Sequence, residues 1–438
     1  MAKTFRSWEV DQVWLLPPSV QQLVPPGHVA HFLRDLVREQ LDLSAILDSY
    51  EEERGYPPYH PVMMTGLLLY AYSQGVYSSR RIARCCQERV DFMAVTAMQQ
   101  PDFRTISGFR QRHLKALGEL FGQVLELCRR AGLAKLGHVA LDGTKIHANA
   151  SKHKAMSYGR MQQAERQLSQ EVSRWLQQAE VEDQQEDRRL GADRRGDELP
   201  DWVADKQQRL QKIRQAKAAL EREAQAQAPP PEKPPKMPRG RPRKHPAGVP
   251  KATSQRNFTD PESRIMKTPS GFEQCYNAQA GVDAASQVIV AQTLTCSATD
   301  RHQLRPLLEQ LPPTLRQQVR EVSADCDYCS EDNLAFLEGA KIRAYVATGK
   351  QQHGQASPVK RRRAPQGPRT QRMRLRLRRA GYRSRYRLRK QTVEPVFGQI
   401  KAARGFRQFL LRGLDKVRVE WSLLCTVHNL LKLAGAAS

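Results

Sequence analysis

No run of about 18 apolar residues occurs anywhere in the 438-residue chain, which excludes a bilayer-spanning helix. The opening stretch MAKTFRSWEVDQ lacks the apolar centre of a secretory signal. Eight cysteines are too few for a disulfide scaffold, so mostly reduced thiols in a cytosol are expected. A GxxxxGK[ST] phosphate loop is missing, and with it the support for an ATP-driven mechanism. Acidic residues are the scarcest relative to their counterparts: 45 Asp+Glu face 71 Lys+Arg, a formal net charge of +26. That balance implies a polyanionic partner. The shortage is sharpest between Lys360 and Lys390, where 15 basic residues stand with no Asp or Glu. The segment is internal and apolar residues resume after it, so folded chain is expected beyond it.

What is present suffices for a core. The length suggests two or three domains, and 39% hydrophobic residues argue against wholesale disorder. Residues 1–134 read as a helical N-terminal domain. Apolar positions recur at helical spacing over 60–90, broken near Gln74-Gly75, and again over Thr105–Arg130 after Pro101-Asp102. Ser107 is the expected cap of that second helix and Gly132 its stop. Cys85-Cys86 falls within the first helical pattern and reads as packing.

The period changes at 137, where GHVALDGTKIHA suits a strand. Two apolar stripes follow, Met161 to Trp175 and Leu210 to Leu220, and predict a helical hairpin insertion over 156–228. Residues 229–255 form a Pro/Arg-rich linker, with nine prolines between 229 and 250. Its Arg239-Gly240-Arg241-Pro242 resembles the core of an AT-hook. Gly and Pro would keep such an arm narrow, and Arg239 and Arg241 could enter a narrow A·T minor groove. A merely basic linker is the other reading. From 272 the strand signal returns, with a hairpin around Asp283–Ser286, then helix, strand, helix, strand and a final helical stretch. That is an α/β order. Residues 135–155 and 256–438 are expected to form one α/β domain, and 1–134 an all-α one.

Three carboxylates stand where chemistry needs them. Asp142 lies inside the first strand, Asp325 at the carboxyl end of VREVSAD, and Glu394 in RKQTVEPVFGQIK. Buried, unpaired carboxylates are costly, and the carboxyl ends of strands in open sheets are where ligands bind. Converging, the three would hold one or two Mg2+ ions, hard cations that favour oxygen ligands and keep places for substrate phosphates. Asp327 competes with Asp325, being two residues on and on the same face of an extended chain. Asp260, Asp283 and Asp300 are weaker candidates because turn and cap roles explain them. Lys401 follows Glu394 by seven residues, close to two full helical turns, so the two would share a face. Pro395 favours placing Glu394 at a helix N-cap. His147 and His153 read as polar neighbours, and Cys326-x2-Cys329 lacks the second ligand pair that zinc would need.

LDGTKIHANASKHK, FEQCYNAQAGVD, VSADCDYCSEDNLAFLE and RYRLRKQTVEPVFGQIK, with the helical stretch from Tyr59 to His113, resemble the DDE-class transposases of bacterial insertion sequences. The resemblance covers most of the chain outside the insertion. It implies a ribonuclease-H-like mixed sheet with flanking helices, and Mg2+ or Mn2+, two ions, held by Asp142, Asp325 and Glu394. It implies double-stranded DNA as partner, at terminal inverted repeats and target sites, with a homodimer on DNA and a cytoplasmic, nucleoid-associated location. The N-terminal domain would bind DNA ends or serve assembly. The family's Tyr-x2-Arg-x3-Glu-x6-Lys signature maps onto Glu394 and Lys401. Its upstream half departs, since four residues separate Arg389 from Glu394, which leaves Tyr386, Arg389 and Lys390 all open as DNA contacts. Arg383, Arg385 and Arg387 are further DNA-binding candidates in the basic segment. Two rival functions remain at this point: a non-catalytic architectural DNA-binding protein, and a metal-dependent nuclease without strand transfer.

Overall fold

The computed structural model describes residues 19–50, 57–190, 201–226, 228, 246–349, 367–380 and 385–437. The N-terminal part is helical: α1 (Val29–Glu39), α2 (Ser44–Leu47), α3 (Pro61–Ser73), α4 (Ser79–Glu88), α5 (Val90–Thr96), α6 (Phe103–Arg112) and α7 (Leu114–Arg130). The stretch read as one helix over 105–130 is two. Asp102, not Ser107, caps α6, accepting from the backbone N–H of Arg104 at 2.6 Å and Thr105 at 2.9 Å. The break falls at His113, whose ring is held by the Tyr50 hydroxyl at 3.1 Å. Helix α3 is apolar on all sides, as befits a helix buried all round.

The α/β part contributes β1 (His138–His147), β2 (Ala155–Ser157), β3 (Gln255–Asn257), β4 (Arg264–Thr268), β5 (Gly271–Asp283), β6 (Ile289–Thr295), β7 (Glu321–Ala324) and β8 (Arg343–Val346). Helices α8 (Tyr158–Leu190) and α9 (Asp201–Ala226) lie between β2 and β3. After β6 come α10 (Leu304–Glu309) and α11 (Pro313–Arg316), then α12 (Glu331–Gly339), α13 (Pro368–Ala380), α14 (Leu388–Gly398) and α15 (Leu414–Ala437). The main sheet is mixed. Strands β6 and β4 pair with successive halves of one edge of β5, β1 runs antiparallel along its other edge, and β7 and β8 follow parallel to β1.

Helix α15 joins the two parts. One side packs on α7, α3 and α1, and the other on β6. The Asn429 amide pairs with both backbone groups of Ile289, at 2.8 Å each, and so covers part of an edge strand. One hydrophobic cluster runs without interruption from Leu33 in α1 through Trp421 to Val346 in β8. Helices α8 and α9 lie outside it. They pair antiparallel around their own small core of Met161, Leu168, Leu210, Ile213 and Leu220. Glu165 bridges Arg214 and Lys217 at 3.1 and 2.8 Å across that hairpin. The β2–β3 ladder closes its base.

The basic segment is partly helical, which the sequence reading did not foresee. Helix α13 buries Met373 and Leu377 and directs its arginines outward. Pro395 lies inside α14 rather than at its start, so Glu394 is mid-helix and not an N-cap. The missing N–H of Pro395 frees the Gln391 carbonyl, which accepts from Gln287 Nε2 at 3.1 Å. A π turn over Gln399–Ala403 then interrupts the α period between Glu394 and Lys401.

Candidate active site

The parallel ladder between β1 and β7 ends with Leu141 opposite Ala324. The next residue on each strand is an acid, Asp142 on β1 and Asp325 just past β7. Adjacent strands lie about 4.8 Å apart, so the ladder alone makes these two acids neighbours. Asp325 opens a 3-10 turn over Cys326–Tyr328 and accepts from the Cys326 N–H. That turn removes the extended geometry that would have put Asp327 on the same face, and Asp327 is exposed.

Glu394 approaches from α14. Arg389, five residues earlier, bridges two of the acids: Nη1 lies 2.5 Å from Asp142 Oδ2 and Nη2 3.5 Å from Glu394 Oε1. Its side chain is only 8% exposed, against 18% for Asp142 and 52% for Glu394. The Tyr386 ring lies under the same guanidinium, 5.9 Å from ring centre to Cζ. Of the two bases left open by the sequence, Arg389 is therefore an internal partner of the acids, while Lys390 is exposed. Lys401 donates to Thr144 Oγ1 and to the Lys145 carbonyl, both at 2.6 Å, and burial lowers its pKa. It sits beside the acid-bearing strand. Arg385 is elsewhere, paired with Glu321 at 2.7 Å at the start of β7. Arg387 is exposed, and Arg239, Arg241 and Arg383 lie outside the described residues.

A polar layer beneath the acids escaped the sequence reading. The Tyr328 hydroxyl donates to Gln279 Oε1. Gln279 Nε2 and Asn277 Nδ2 donate to Asp300 Oδ1, at 2.7 and 2.5 Å, and Lys145 Nζ lies 3.5 Å from the same oxygen. Asp300 is thus more than a turn residue, whereas Asp283 does serve a turn, accepting from Leu136 and Ala285 N–H. A Cβ at Gly143 would collide with Gln279 Nε2, so glycine there lets the amides reach the acid. The only sequence trace of this layer is the pairing of Asn277 and Gln279 with Lys145 and Gly143, visible once β1 and β5 are aligned.

Burial pushes the Asp142 carboxyl up to about 6. The Arg389 charge opposes that rise, and the charges of Asp325 and Asp300 add to it. Three carboxylates suit a hard divalent cation. Among the described residues no three candidate ligands already surround one point. A guanidinium touches two of the acids instead. Three carboxylate donors fit a divalent metal ion, and the Arg389 guanidinium is the cation that stands beside two of them.

Residues 18–112 match the family model described as Transposase domain (DUF772), and residues 247–430 match Transposase DDE domain. Together the two matches span well over half of the chain, which belongs to the DDE transposases of insertion sequences and is an enzyme of that class. Asp325 and Glu394 fall inside the second match and Asp142 before it. No curated protein and no solved structure matches the chain. Among the described residues no helix is long and apolar enough to cross a membrane.

Proposed function

We propose that this transposase cleaves DNA at the ends of its element and joins the freed 3′-OH to target DNA, with Asp142, Asp325 and Glu394 as its metal ligands. The observation that carries the assignment is the β1–β7 register, which sets Asp142 beside Asp325, with Glu394 brought to Asp142 through Arg389. The strand order supports a ribonuclease-H-like core. Three antiparallel strands, β6, β5 and β1, are followed by two parallel ones, β7 and β8, with acids on β1, just after β7 and on α14.

Bound divalent ions supply charge neutralisation and orientation for in-line displacement at phosphorus. In the first step water attacks the phosphodiester and the 3′ oxygen leaves as a hydroxyl. In the second, that 3′-OH attacks a target phosphodiester, whose own 3′ oxygen leaves and takes the proton. One phosphodiester replaces another, so strand transfer needs no nucleotide hydrolysis. Lys401 anchors the π turn against β1, and Lys390, exposed one residue from Arg389, meets DNA phosphate. The N-terminal helices, packed on α15, carry the end-recognition or assembly role.

The test is cleavage and joining of labelled element-end DNA with Mg2+. Asp142→Asn, Asp325→Asn and Glu394→Gln should each lower the rate by about a thousandfold or more, as for loss of a central electrostatic group. Unchanged cleavage in all three would remove the acid assignment. Nicking by the native protein without joining would favour the nuclease reading instead.

A further inference from the structure

Strands β1, β7 and β8 run parallel and begin at His138, Glu321 and Arg343, so their starts share one rim of the sheet. The acids lie towards the other end. Asp142 is four residues along β1, about 13 Å from the rim at 3.3 Å per residue. A cavity of about 770 Å3 opens on the rim, lined by Lys135, Arg320, Lys341, Arg343 and Arg385, with Glu321 and Asp283 as its acids. Asp283 is spent on the backbone N–H groups of Leu136 and Ala285. Glu321 takes Arg385 at 2.7 Å, with Arg343 at 3.5 Å and His138 at 3.2 Å. Lys135, Arg320 and Lys341 have no carboxylate partner among the described residues.

A second, smaller cavity continues the track. It shares Lys341 and Arg343 and adds Arg376 of α13, while its one acid, Glu338, is taken by Arg369 at 2.7 Å and Arg372 at 3.0 Å. Lys341 itself adopts a left-handed backbone, φ 58°, in the turn between α12 and β8. So does Leu136, φ 55°, beside the first cavity. At Lys341 the end of α12 accounts for it, with the Ile342 N–H donating to the Leu337 carbonyl at 2.9 Å and the Lys341 N–H to the Glu338 carbonyl at 3.0 Å. Unpaired like charges crowded on one rim repel each other unless a polyanion joins them.

We propose that this rim binds the phosphodiester backbone of duplex DNA, as a second contact separate from the strand held at the acids. The inference rests on the transposase reading, since an enzyme that joins two DNA molecules must hold duplex on both sides of the reacting phosphate. Evenly spaced phosphates fit a row of separate cations, with Lys135 and Arg320 at one end and Arg376 at the other.

The experiment measures binding of the full chain to a random-sequence duplex by fluorescence anisotropy, in EDTA, across a KCl series. In EDTA the result does not depend on metal at the acids, so failure here is distinguishable from failure of the catalytic assignment. Arg320→Gln and Lys341→Gln, each alone, should lower the slope of log K against log salt by about one unit. The double substitution should lower it by about two and weaken binding roughly tenfold or more at moderate salt. The matched control is Arg84→Gln on α4, which should leave the slope as it is. Native affinity and slope in both single variants, with melting curves like the native protein's, would overturn the proposal. Should the double variant unfold, the singles decide the matter alone. A loss of slope equal to that of Arg84→Gln would also overturn it.

Discussion

The Arg389 guanidinium stands 2.5 Å from the Asp142 carboxylate and 3.5 Å from that of Glu394, at the heart of the acid site. A cation is therefore already supplied where the proposed function calls for metal. Asp142 is largely buried and its neighbours Asp325 and Asp300 are acids, so without a counter-charge it is costly to keep ionised. Arg389 meets that need.

This arrangement sets the sign of an Arg389→Gln substitution. Removing the guanidinium takes away one positive charge that opposes a dication, and Mn2+ affinity should rise about tenfold or more. In chelator, the same variant should lose stability, by about 3 kcal/mol, because Asp142 is left buried without its partner. Added Mn2+ should restore the melting temperature. Isothermal titration and thermal melting read both effects. Weaker Mn2+ binding in the variant would mean that Arg389 organises the acids for the ion and does not compete with it.

Gly143 gives a second test of the same region. A methyl there would run into Gln279 Nε2 and would stand 3.0 Å from Asp300 Oδ1 and 3.1 Å from Asn277 Oδ1. Gly143→Ala should cost about 1–3 kcal/mol through forced displacement of those amides. Cleavage should fall further than stability alone explains, since Tyr328 and thus the turn after Asp325 are held through Gln279. A stable, fully active alanine variant would show that the polar layer does not position the acids.

How far the sequence led differs by residue. Asp142 and Asp325 could be picked out because each sits at a strand position where an apolar residue or a turn residue is otherwise expected. Glu394 could be picked out as an acid just after the basic segment, but its backbone context could not. Pro395 argued for a helix start, and the structure shows a helix already under way whose freed carbonyl is taken by Gln287, a residue over a hundred positions away. Local rules cannot supply such a partner. The π turn after Gly398 likewise shifts Lys401 relative to any periodic estimate. Asp300 was underrated because its amide donors lie on a strand more than twenty residues earlier. Helix α13 was missed because its apolar positions, Met373 and Leu377, are few among arginines. The β5–β6 hairpin, in contrast, was legible from two strand-like runs around the turn at Asp283–Ser286.

The α8–α9 hairpin should be dispensable for folding. Its core is separate from the main hydrophobic cluster, and Ser157 pairs with Gln255 where it enters and leaves. Replacing residues 158–254 with a short turn keeps that ladder closed, since two to five residues join antiparallel strands. The shortened chain should retain a cooperative melt within a few degrees of the native protein, read by circular dichroism. Loss of the cooperative transition would mean that the hairpin's contacts with Arg256 and Arg264 hold the main sheet in place.

Glu420 sets a pH dependence unrelated to the acid site. It is fully buried on α15, with the backbone N–H groups of Leu410 and Leu411 donating to it at 3.0 and 3.1 Å. Burial pushes its carboxyl up to about 7, while those N–H groups and the Arg110 charge hold the rise back. The unfolded carboxyl titrates near 4.3. Between these two values the folded chain binds the proton more tightly, so the stability linked to Glu420 is complete below about 4 and is lost as pH rises through 7. A glutamine side chain at this position would mimic the protonated form at every pH. Glu420→Gln should therefore match the native protein near pH 4 and exceed it by about 3–4 kcal/mol above pH 8, an order-of-magnitude figure from the size of the shift. Urea unfolding at a series of pH values measures the difference. A gap between the two proteins that stays constant from pH 5 to 9 would show that Glu420 remains ionised in the folded chain throughout, held by the two backbone N–H groups and Arg110.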